Sequence, residues 1–197
     1  MSLIVRSYLL SLFILTGFAP AISAQPAGTV LYMESGGEVF LLLADHTDSA
    51  TRGWGGFGGS HEHGETPVQT AARETAEETR GYFTAEALEG RLEGLTPLID
   101  GSFHLYFLEI DFVPAPSVAN NRPPSDTIYF RERGPYAWIP WSEVRQYLAS
   151  EEPAPPFVID GRYLPASAER DWFWDVWIRN LRLALRENAI PWEKPAE

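Results

Sequence analysis

Three glutamates near the middle of the chain have the spacing and the chemistry to bind a hard divalent cation. Glu74, Glu77 and Glu78 follow the i, i+3, i+4 pattern, which places their carboxylates on one face of a helix. Arg73 can pair with only part of that negative charge. Carboxylate oxygens favour Mg²⁺ or Mn²⁺, so this face is a candidate metal site. A solvated acidic face on a surface helix is the alternative that the spacing alone leaves open.

Capping residues define the helix that must carry these carboxylates. Thr66 can cap its start, Pro67 suits the first helical position, and Gln69 completes a capping box. Gly81 is the predicted left-handed terminator. The opposite face consists of small or apolar residues that can pack on a core, namely Val68, Ala71, Ala72, Thr75 and Ala76.

Residues 59–81 resemble the signature of the Nudix hydrolase family, G-x5-E-x7-R-E-U-x-E-E-x-G-U, in which U is a bulky aliphatic residue. Residues 54–59 are also similar to the family's W-x-x-P-G-G opening, with Phe57 in place of proline. Two positions depart from the signature, because Thr75 replaces the aliphatic residue and Arg80 stands where the family has glycine. The fixed positions that match at the family's spacing are Gly59, Glu65, Arg73, Glu74, Glu77 and Glu78.

The resemblance implies a fold, a reaction and a metal site. The fold is the Nudix fold, an α/β architecture with a mixed β-sheet sandwiched between helices, here over residues 28–188. The reaction is a pyrophosphohydrolase reaction on acid anhydrides, in which the phosphoanhydride of a nucleoside diphosphate linked to another moiety is cleaved. The implied ligands of Mg²⁺ or Mn²⁺ are the carbonyl of Gly59 and the carboxylates of Glu74, Glu77 and Glu78.

The general base is implied less sharply than the metal site. Glu74 is one candidate. In some family members a loop before a late strand supplies an additional carboxylate as ligand or base, and Glu132 is the matching residue here. An exposed loop glutamate is the alternative interpretation of Glu132.

Four neighbouring residues have predicted roles outside the chemical step. We expect Arg73 to orient Glu77 and Glu65 to steady the junction between loop and helix. His61 and His63 are interpreted as ordinary polar loop residues, with contact to a substrate phosphate as the alternative. Metal ligation by either histidine is disfavoured beside so many hard oxygen ligands.

The first 24 residues have the pattern of a secretory signal peptide. Arg6 supplies the positive start, residues 8–18 the apolar segment, and residues 21–24 a small-residue cleavage site. We expect cleavage after Ala24, export to the periplasm or the extracellular space, and no stable membrane insertion afterwards. An uncleaved anchor and a buried first helix are the alternatives, but the apolar run is short for a bilayer span of about 20 residues.

Composition limits the classes of partner. The formal charge is −12, and removing Arg6 leaves 14 basic against 27 acidic residues, or −13. Such a chain is a poor binder of long nucleic acid. A small diphosphate, derived from a nucleotide, remains the expected partner, because bound cations can invert the local field. The chain has no cysteine, which excludes disulfides and thiolate metal sites.

Hydrophobic patterns predict the elements around the acidic helix. Residues 28–43 read as a β-hairpin with a turn at 35–37, and the apolar run at 38–43 predicts a central strand. Ser142 is expected to cap a short helix that extends to Leu148. The pattern leaves 83–92 unassigned and makes 53–64, 113–126 and 150–168 loops, the last a candidate lid. Further strands are predicted at 95–98, 102–112, 127–131 and 137–141.

The C-terminal part predicts a final helix over residues 169–188. Its apolar stripe is interpreted as core, and a base-stacking platform or a homodimer contact are the alternatives. Arg179, Arg182 and Arg186 are interpreted as a solvated row, with phosphate binding as the alternative. The stripe comprises Trp172, Phe173, Val176, Trp177, Leu181, Ala184 and Leu185.

Two classes of function other than an enzyme stay open at this point. A non-catalytic, secreted Nudix-like module that binds a nucleotide or a protein partner is compatible with the departures at Thr75 and Arg80. A structural envelope protein that assembles through its aromatic C-terminal helix is the third reading.

Overall fold

A mixed β-sheet lies at the centre of the protein. The computed structural model describes residues 25–47, 49–148 and 157–193. The expected signal peptide and residues 150–156 of the candidate lid lie outside the described residues. The strands are β1 (Ala27–Ser35), β2 (Glu38–His46), β3 (Trp54–Gly55), β4 (Phe57–Gly59), β5 (Leu98–Asp100), β6 (Phe103–Glu109) and β7 (Arg133–Pro140).

The pairing of these strands confirms the predicted hairpin and the mixed sheet. β1 pairs antiparallel with β2 through the end near the turn and with β4 through its other end, and it runs parallel to β6. Gly36 and Gly37 form the turn with φ values of 61° and 79°, the left-handed conformation that a two-residue hairpin turn requires. β2 is central as predicted, because it pairs with β1, β3 and β7.

Helices cover both faces of the sheet, which confirms the sandwich. Side chains alternate between the faces: Val30 packs in one core cluster and Leu31 in the other. α1 and α2 cover the face of Leu31, whereas α4 and α5 cover the face of Val30. The helices are α1 (Pro67–Glu78), α2 (Ala85–Leu92), α3 (Ala115–Ala119), α4 (Trp141–Arg145) and α5 (Asp175–Arg186).

Several segments differ from the predictions because contacts distant in sequence decide them. The expected loop 53–64 contains β3 and β4, which are held by hydrogen bonds to β2 and β1. The strand expected at 95–98 instead spans Leu98–Asp100, and the one expected at 102–112 spans Phe103–Glu109. The unassigned segment 83–92 contains α2, with the Thr84 side chain as its N-cap.

The segment between β6 and β7 contains two short helical turns that the sequence did not predict. The loop at 113–126 includes α3, whose buried residue is Val118. The strand predicted at 127–131 is wrong, since Ile128–Arg131 forms one 3₁₀ turn. Ile128 and Tyr129 are largely exposed, so this segment lacks the buried face that a strand in this sheet would need.

The predicted bounds around β7 and α4 also need correction. β7 begins at Arg133 rather than at 137. α4 starts at Trp141 without a side-chain cap and ends at Arg145. Ser142 therefore lies inside the helix and is not its cap, and its backbone N–H donates to Glu38 Oε1 at 3.1 Å.

The final helix starts later than predicted, at Asp175. Residues before it are extended, because the N–H of Trp54 donates to the carbonyl of Trp172 at 2.9 Å and the N–H of Trp174 donates to the carbonyl of Trp54 at 2.8 Å. Among the helices within the described ranges, none is long and apolar enough to cross a bilayer.

The apolar stripe of α5 is core, as predicted. Its buried members pack in the core cluster on this face of the sheet, and the alternative of a homodimer contact stays a prediction. The solvated arginine row is wrong for Arg182, which is buried and donates to the carbonyl of Tyr147 at 2.7 Å. The buried members of the helix are Trp177, Ile178, Leu181, Arg182 and Ala184.

His46, the last residue of β2, is a buried neutral histidine. Its Nδ1–H donates to the carbonyl of Gly53 at 2.8 Å, and its ring meets that of Trp174 edge to face. Burial, together with the positive charge of Arg133, lowers the pKa of His46 from 6.5 to about 2.

We expect acid to destabilise the protein through His46. The unfolded chain binds a proton below pH 6.5, whereas the folded imidazole stays neutral down to about pH 2, so this contribution to stability is lost as the pH falls through 6.5. Going from about pH 7 to about pH 5 removes roughly 2 kcal/mol. Urea unfolding at both pH values will show this extra loss in the wild type relative to His46→Asn. Equal losses in the two proteins would contradict it.

Helix α1 ends on two consecutive left-handed residues. Arg80 has a φ of 57° and Gly81 a φ of 69°. Their N–H groups donate to the carbonyls of Glu77 and Ala76 at 2.9 and 2.7 Å, which is the Schellman pattern. The predicted terminator Gly81 is thus present, but Arg80 occupies the first left-handed position, where glycine is preferred.

We expect Arg80→Gly to be more stable than Arg80→Ala by about 1 kcal/mol. Both changes remove the side-chain hydrogen bonds that Arg80 donates to the carbonyls of Asn121 and Phe130. They therefore differ in the backbone alone, where alanine is strained at positive φ. Urea unfolding of the two variants measures the difference in stability. Equal urea midpoints would mean that the backbone at the end of α1 changes conformation in Arg80→Ala and so relieves the strain.

Candidate active site

The capping box predicted for α1 is present and fixes where the acidic face begins. Thr66 Oγ1 accepts from the N–H of Gln69 at 3.3 Å, and Gln69 Oε1 accepts from the N–H of Thr66 at 3.0 Å. Pro67 occupies the first turn as expected.

The opposite face of α1 packs on β1 and turns the carboxylates outward. Thr75, which departs from the family signature, donates its hydroxyl to the carbonyl of Ala71 at 2.6 Å. Its Oγ1 lies 2.8 Å from Thr29 Oγ1, so Thr29 is the donor of that bond. A buried hydroxyl is therefore fully hydrogen-bonded at the position of the aliphatic residue.

One cleft collects all the residues predicted for the site. It measures about 330 Å³. His61 also lines it, whereas His63 is exposed and does not. The predicted residues in its lining are Gly59, Glu74, Glu77, Glu78 and Glu132.

Arg73 joins the glycine-rich loop to the acidic helix face. Its guanidinium donates to Glu65 Oε1 at 2.7 Å, to Glu77 Oε2 at 2.9 Å and to the carbonyl of Ser60 at 2.7 Å. It also lies 3.1 Å from Glu74 Oε1. The contacts are those expected for a residue that orients Glu77.

Glu65 lies at the junction of loop and helix, as predicted. It accepts hydrogen bonds from the N–H of Glu62, from Thr70 Oγ1 and from Arg73. Burial alone would raise the pKa of Glu65, but the hydrogen bonds from Arg73, Glu62 and Thr70 lower it to about 2.

Glu78 is the most deeply buried of the three glutamates that α1 contributes to the cleft. Its Oε2 accepts from the N–H of Gly58 at 2.8 Å, and its Oε1 lies 3.5 Å from Nε of Arg133. Arg133, the first residue of β7, is 4% exposed, and its Nη2 donates to the carbonyls of Gly55 and Gly56. The pair therefore ties α1 to β7 and to the loop between β3 and β4.

The neighbouring arginines do not fully offset the cost of burying the ionised carboxylates of the cleft. Burial raises the pKa of Glu74 to about 7 against the opposing effect of Arg73, and Glu77 and Glu132 raise it further. Burial likewise raises the pKa of Glu78, despite Arg133, and the pKa of Glu77, despite Arg73.

Gly59 leaves space for the carboxylate of Glu74. A Cβ at this position would lie 2.5 Å from Glu74 Oε2, closer than atoms can approach. The glycine therefore lets the carboxylate of Glu74 lie directly against the backbone that the family resemblance assigns to the metal.

The donor set fits a hard divalent cation in its chemistry, although the side chains are arranged as ion pairs. The candidate ligands among the lining residues would all donate oxygen, from the carboxylates of Glu74, Glu77 and Glu78 and from the backbone of Gly59. In the described part of the chain, no group of three or more His, Cys, Asp or Glu side chains is already gathered to hold a metal ion. The carboxylates instead contact Arg73 and Arg133.

Two arginines of the candidate site were not predicted from the sequence. Arg133 could have been noticed as a charged residue directly before an apolar strand, but only the fold places it on Glu78. Arg52 lines the acidic cleft. It lies in a polar loop whose sequence contains no motif that would indicate a functional residue.

Several proteins of known structure are similar to this chain at low sequence identity. Solved structures similar to the chain include a C. elegans Ap4A hydrolase in a binary complex, with 20% identity over 62% of this chain and 84% of that one and a TM-score of 0.38. The C-terminal domain of mouse MUTYH, bound to human PCNA, has 16% identity, coverage of 84% and 90%, and a TM-score of 0.44. A mutT/nudix family protein from Listeria innocua has 16% identity, coverage of 85% and 96%, and a TM-score of 0.40.

None of the curated proteins matches the chain. The profile of the NUDIX domain matches residues 24–158, which is well over half of the sequence and includes β1 to β7 with the whole acidic cleft. The chain belongs to the Nudix family.

Proposed function

We propose that the protein is a metal-dependent hydrolase that cleaves the phosphoanhydride of a nucleoside diphosphate linked to another moiety. The observation that carries the proposal is the single cleft into which the fold brings its carboxylates and the backbone of β4. Nudix enzymes generally use divalent metal ions and act on small, nucleotide-derived molecules, and the family membership of this chain supports both features.

The ligands we assign are the carboxylates of Glu74, Glu77 and Glu78 and the carbonyl of Gly59. An all-oxygen donor set suits Mg²⁺ or Mn²⁺. When bound, such an ion neutralises charge on the diphosphate and lowers the pKa of bound water. The raised pKa values of Glu74 and Glu78 support the assignment, because a cation would relieve the charge that burial disfavours.

The residues of the chain would supply proton transfer and positioning. In the reaction, water adds to one phosphorus, the bond from that phosphorus to the bridging oxygen breaks, and the proton of the water passes to a carboxylate. Glu74 is our candidate base and Glu132 the alternative, since both line the cleft.

The departures from the family signature do not argue for a non-catalytic binding module. Thr75 faces β1 with its hydroxyl satisfied, and Arg80 completes the end of α1. The carboxylates still line one cleft, so the feature that left a binding module open does not count against an enzyme.

We further propose export of the chain after cleavage behind Ala24. The support is the signal-like pattern of residues 1–24. Residues 28–188 would then act as one catalytic domain outside the cytosol.

Phosphate-product release by residues 25–197 tests the proposal. A panel of nucleoside diphosphate derivatives is incubated with Mg²⁺, with Mn²⁺ and with chelator, and products are separated chromatographically. Turnover that requires metal is the expected result. Absence of turnover on every compound, in a folded protein that binds metal, would favour the binding module.

A further inference from the structure

Arg80 departs from the family signature at a position where the backbone is left-handed. Its φ is 57°, and a side chain at such an angle costs free energy that glycine avoids. Strained residues of this kind cluster at functional sites, where the surrounding structure enforces them. The contacts of the Arg80 side chain therefore indicate what this chain gains over the glycine of the signature.

The side chain of Arg80 fastens the end of α1 to residues 121–132, which we call the pre-β7 segment. Its Nε donates to the carbonyl of Asn121 and its Nη1 to the carbonyl of Phe130, both at 3.3 Å. The side-chain amide of Asn121 donates in return to the carbonyl of Arg80 at 2.8 Å. Glycine would keep only this last bond, so the link to Phe130 depends on the arginine.

The pre-β7 segment touches the end of α1 but is not buried along its length. Pro124 lies directly against Gly81, where a Cβ would be 2.7 Å from Pro124 Cδ. A cavity of about 470 Å³ is lined both by Pro124 and by Glu77 of α1. Farther along the segment, Ile128 and Tyr129 are 71% and 53% exposed. Side-chain burial therefore holds this part only weakly, and hydrogen bonds have to fix it.

The last part of the pre-β7 segment supplies Tyr129 and Glu132 to the lining of the acidic cleft. The carbonyl that Arg80 binds belongs to Phe130, which lies between them in sequence. The next two carbonyls accept from Thr47 Oγ1 at 3.3 and 3.0 Å. Successive carbonyls directly before β7 are thus held by Arg80 at the end of α1 and by Thr47 directly after β2.

Glu132 needs such a restraint because it faces like charges. Burial is the main cause of the raised pKa values of Glu74, Glu77 and Glu78, and the negative charge of Glu132 raises each of them further. Repulsion among these carboxylates would move a loosely held glutamate away from the cleft. The contacts that keep Glu132 in place must therefore act on its backbone.

We propose that Arg80 is a positioning residue that fixes the pre-β7 segment so that Glu132 lines the acidic cleft. It acts through the carbonyl of Phe130, two residues before Glu132. The consequence for catalysis rests on the proposed function, in which Glu132 serves as a general base or as a further metal ligand. The strained backbone of Arg80 is then offset by a side chain that the glycine of the signature lacks.

Arg80→Gly tests this role because it introduces the residue of the signature. The change relieves the backbone at positive φ, so a purely structural role of Arg80 predicts unchanged turnover per folded molecule. The proposal predicts that kcat falls about tenfold or more while KM stays within about twofold, since a misplaced group affects the chemical step. Steady-state kinetics of residues 25–197 with the best substrate of the panel measure both.

A second substitution asks whether Arg80 acts through Glu132. Residues that act as a unit have non-additive effects, so in a Glu132→Gln background Arg80→Gly should lower kcat by less than about twofold. A loss as large as in the wild-type background would overturn the inference. Wild-type kcat in Glu132→Gln alone would overturn it as well.

Arg91→Ala is the matched control. Arg91 of α2 also donates from Nη2 to a backbone carbonyl, that of Glu109, and it does not line the acidic cleft. This variant loses the same positive charge and the same type of contact at a place remote in sequence from the pre-β7 segment. Its kcat should equal that of the wild type, and a loss equal to that of Arg80→Gly would overturn the inference.

Hydrogen exchange followed by mass spectrometry tests the restraint without turnover. Amides of residues 128–132 should exchange about tenfold faster in Arg80→Gly than in the wild type, and at the wild-type rate in Arg91→Ala. Asn121→Ala removes the bond to the carbonyl of Arg80 and should also speed exchange, which provides a second variant if Arg80→Gly does not fold. Unchanged exchange in the folded variants overturns the inference. Faster exchange in a protein whose wild type hydrolyses nothing would support the restraint and refute the proposed function alone.

Discussion

Replacing both Glu74 and Glu77 by glutamine should reduce metal-dependent hydrolysis at least about 100-fold, since removing a general base alone typically costs this much. Glutamine keeps the shape of each side chain, and its amide oxygen can still accept from Arg73. It removes the charges that would hold the ion and the group that would take the proton. The measurement is kcat/KM at saturating Mg²⁺ and Mn²⁺ on the best substrate of the panel.

The same double variant should not lose stability. The pKa of Glu74 is raised to about 7 from 4.5, so the folded protein holds its proton more tightly than the unfolded chain does. Glu74 therefore destabilises the fold increasingly as the pH rises from 4.5 towards 7, and this penalty persists above 7. In chelator at about pH 8, the double variant should unfold at the same or a higher urea concentration than the wild type.

Glu86→Gln is the matched control for this experiment. Glu86 lies in the first turn of α2, is exposed, and does not line the acidic cleft. Combined with Glu93→Gln, at a residue that is also exposed and outside the cleft, it makes the same change of two charges and should leave kcat/KM unaltered. Wild-type activity in the Glu74/Glu77 variant would refute the assignment of the cleft, whereas equal losses in both variants would point to net charge.

Elements that depend on interactions between residues close in sequence could be predicted, whereas elements that depend on distant contacts could not. The caps of α1 and the turn at Gly36 and Gly37 were predictable, because each depends on residues within a few positions of one another. The start of α5 was not, since residues 172–174 are held extended by hydrogen bonds to Trp54. The 3₁₀ turn at Ile128–Arg131 likewise depends on which strands the fold provides as neighbours.

The residues of the candidate site also differ in whether the sequence could predict them. The carboxylates were predictable because one helix carries Glu74, Glu77 and Glu78 at fixed spacing. The arginine that compensates the charge of Glu78 could not be predicted, because Arg133 comes from β7, more than fifty positions later. Glu132 lines the cleft next to Arg133, so the late loop that the family resemblance singled out supplies both a carboxylate and the partner of another.

The largest effect on stability is expected from Arg133. Its side chain is 1% exposed and lies 3.5 Å from the carboxylate of Glu78, which is 7% exposed. Arg133→Met would leave that carboxylate buried without its counter-charge, and removing one partner of such a pair costs about 3–5 kcal/mol. Urea unfolding in chelator at about pH 8, where Glu78 is ionised, should show a loss of this size.

A double-mutant cycle separates the ion pair from the other contacts of Arg133. The hydrogen bonds to the carbonyls of Gly55 and Gly56 are lost in Arg133→Met whether or not Glu78 is changed, so they cancel. Glu78→Gln keeps an acceptor for the N–H of Gly58 but removes the charge. The double variant should therefore lose less than the sum of the single variants, by about 2 kcal/mol.

The exposed pair of Asp175 and Arg179 on α5 is the control for that cycle. Its side chains are 61% and 65% exposed and 3.8 Å apart, so its coupling should be below about 0.5 kcal/mol. The coupling between Arg133 and Glu78 should also shrink towards about pH 5, because the raised pKa of Glu78 makes its carboxyl neutral there. A coupling that is equally small in both cycles, or that does not change with pH, would mean that Arg133 stabilises the fold through its carbonyl contacts. In that case the positive charge of Arg133 would not be what stabilises the ionised form of Glu78.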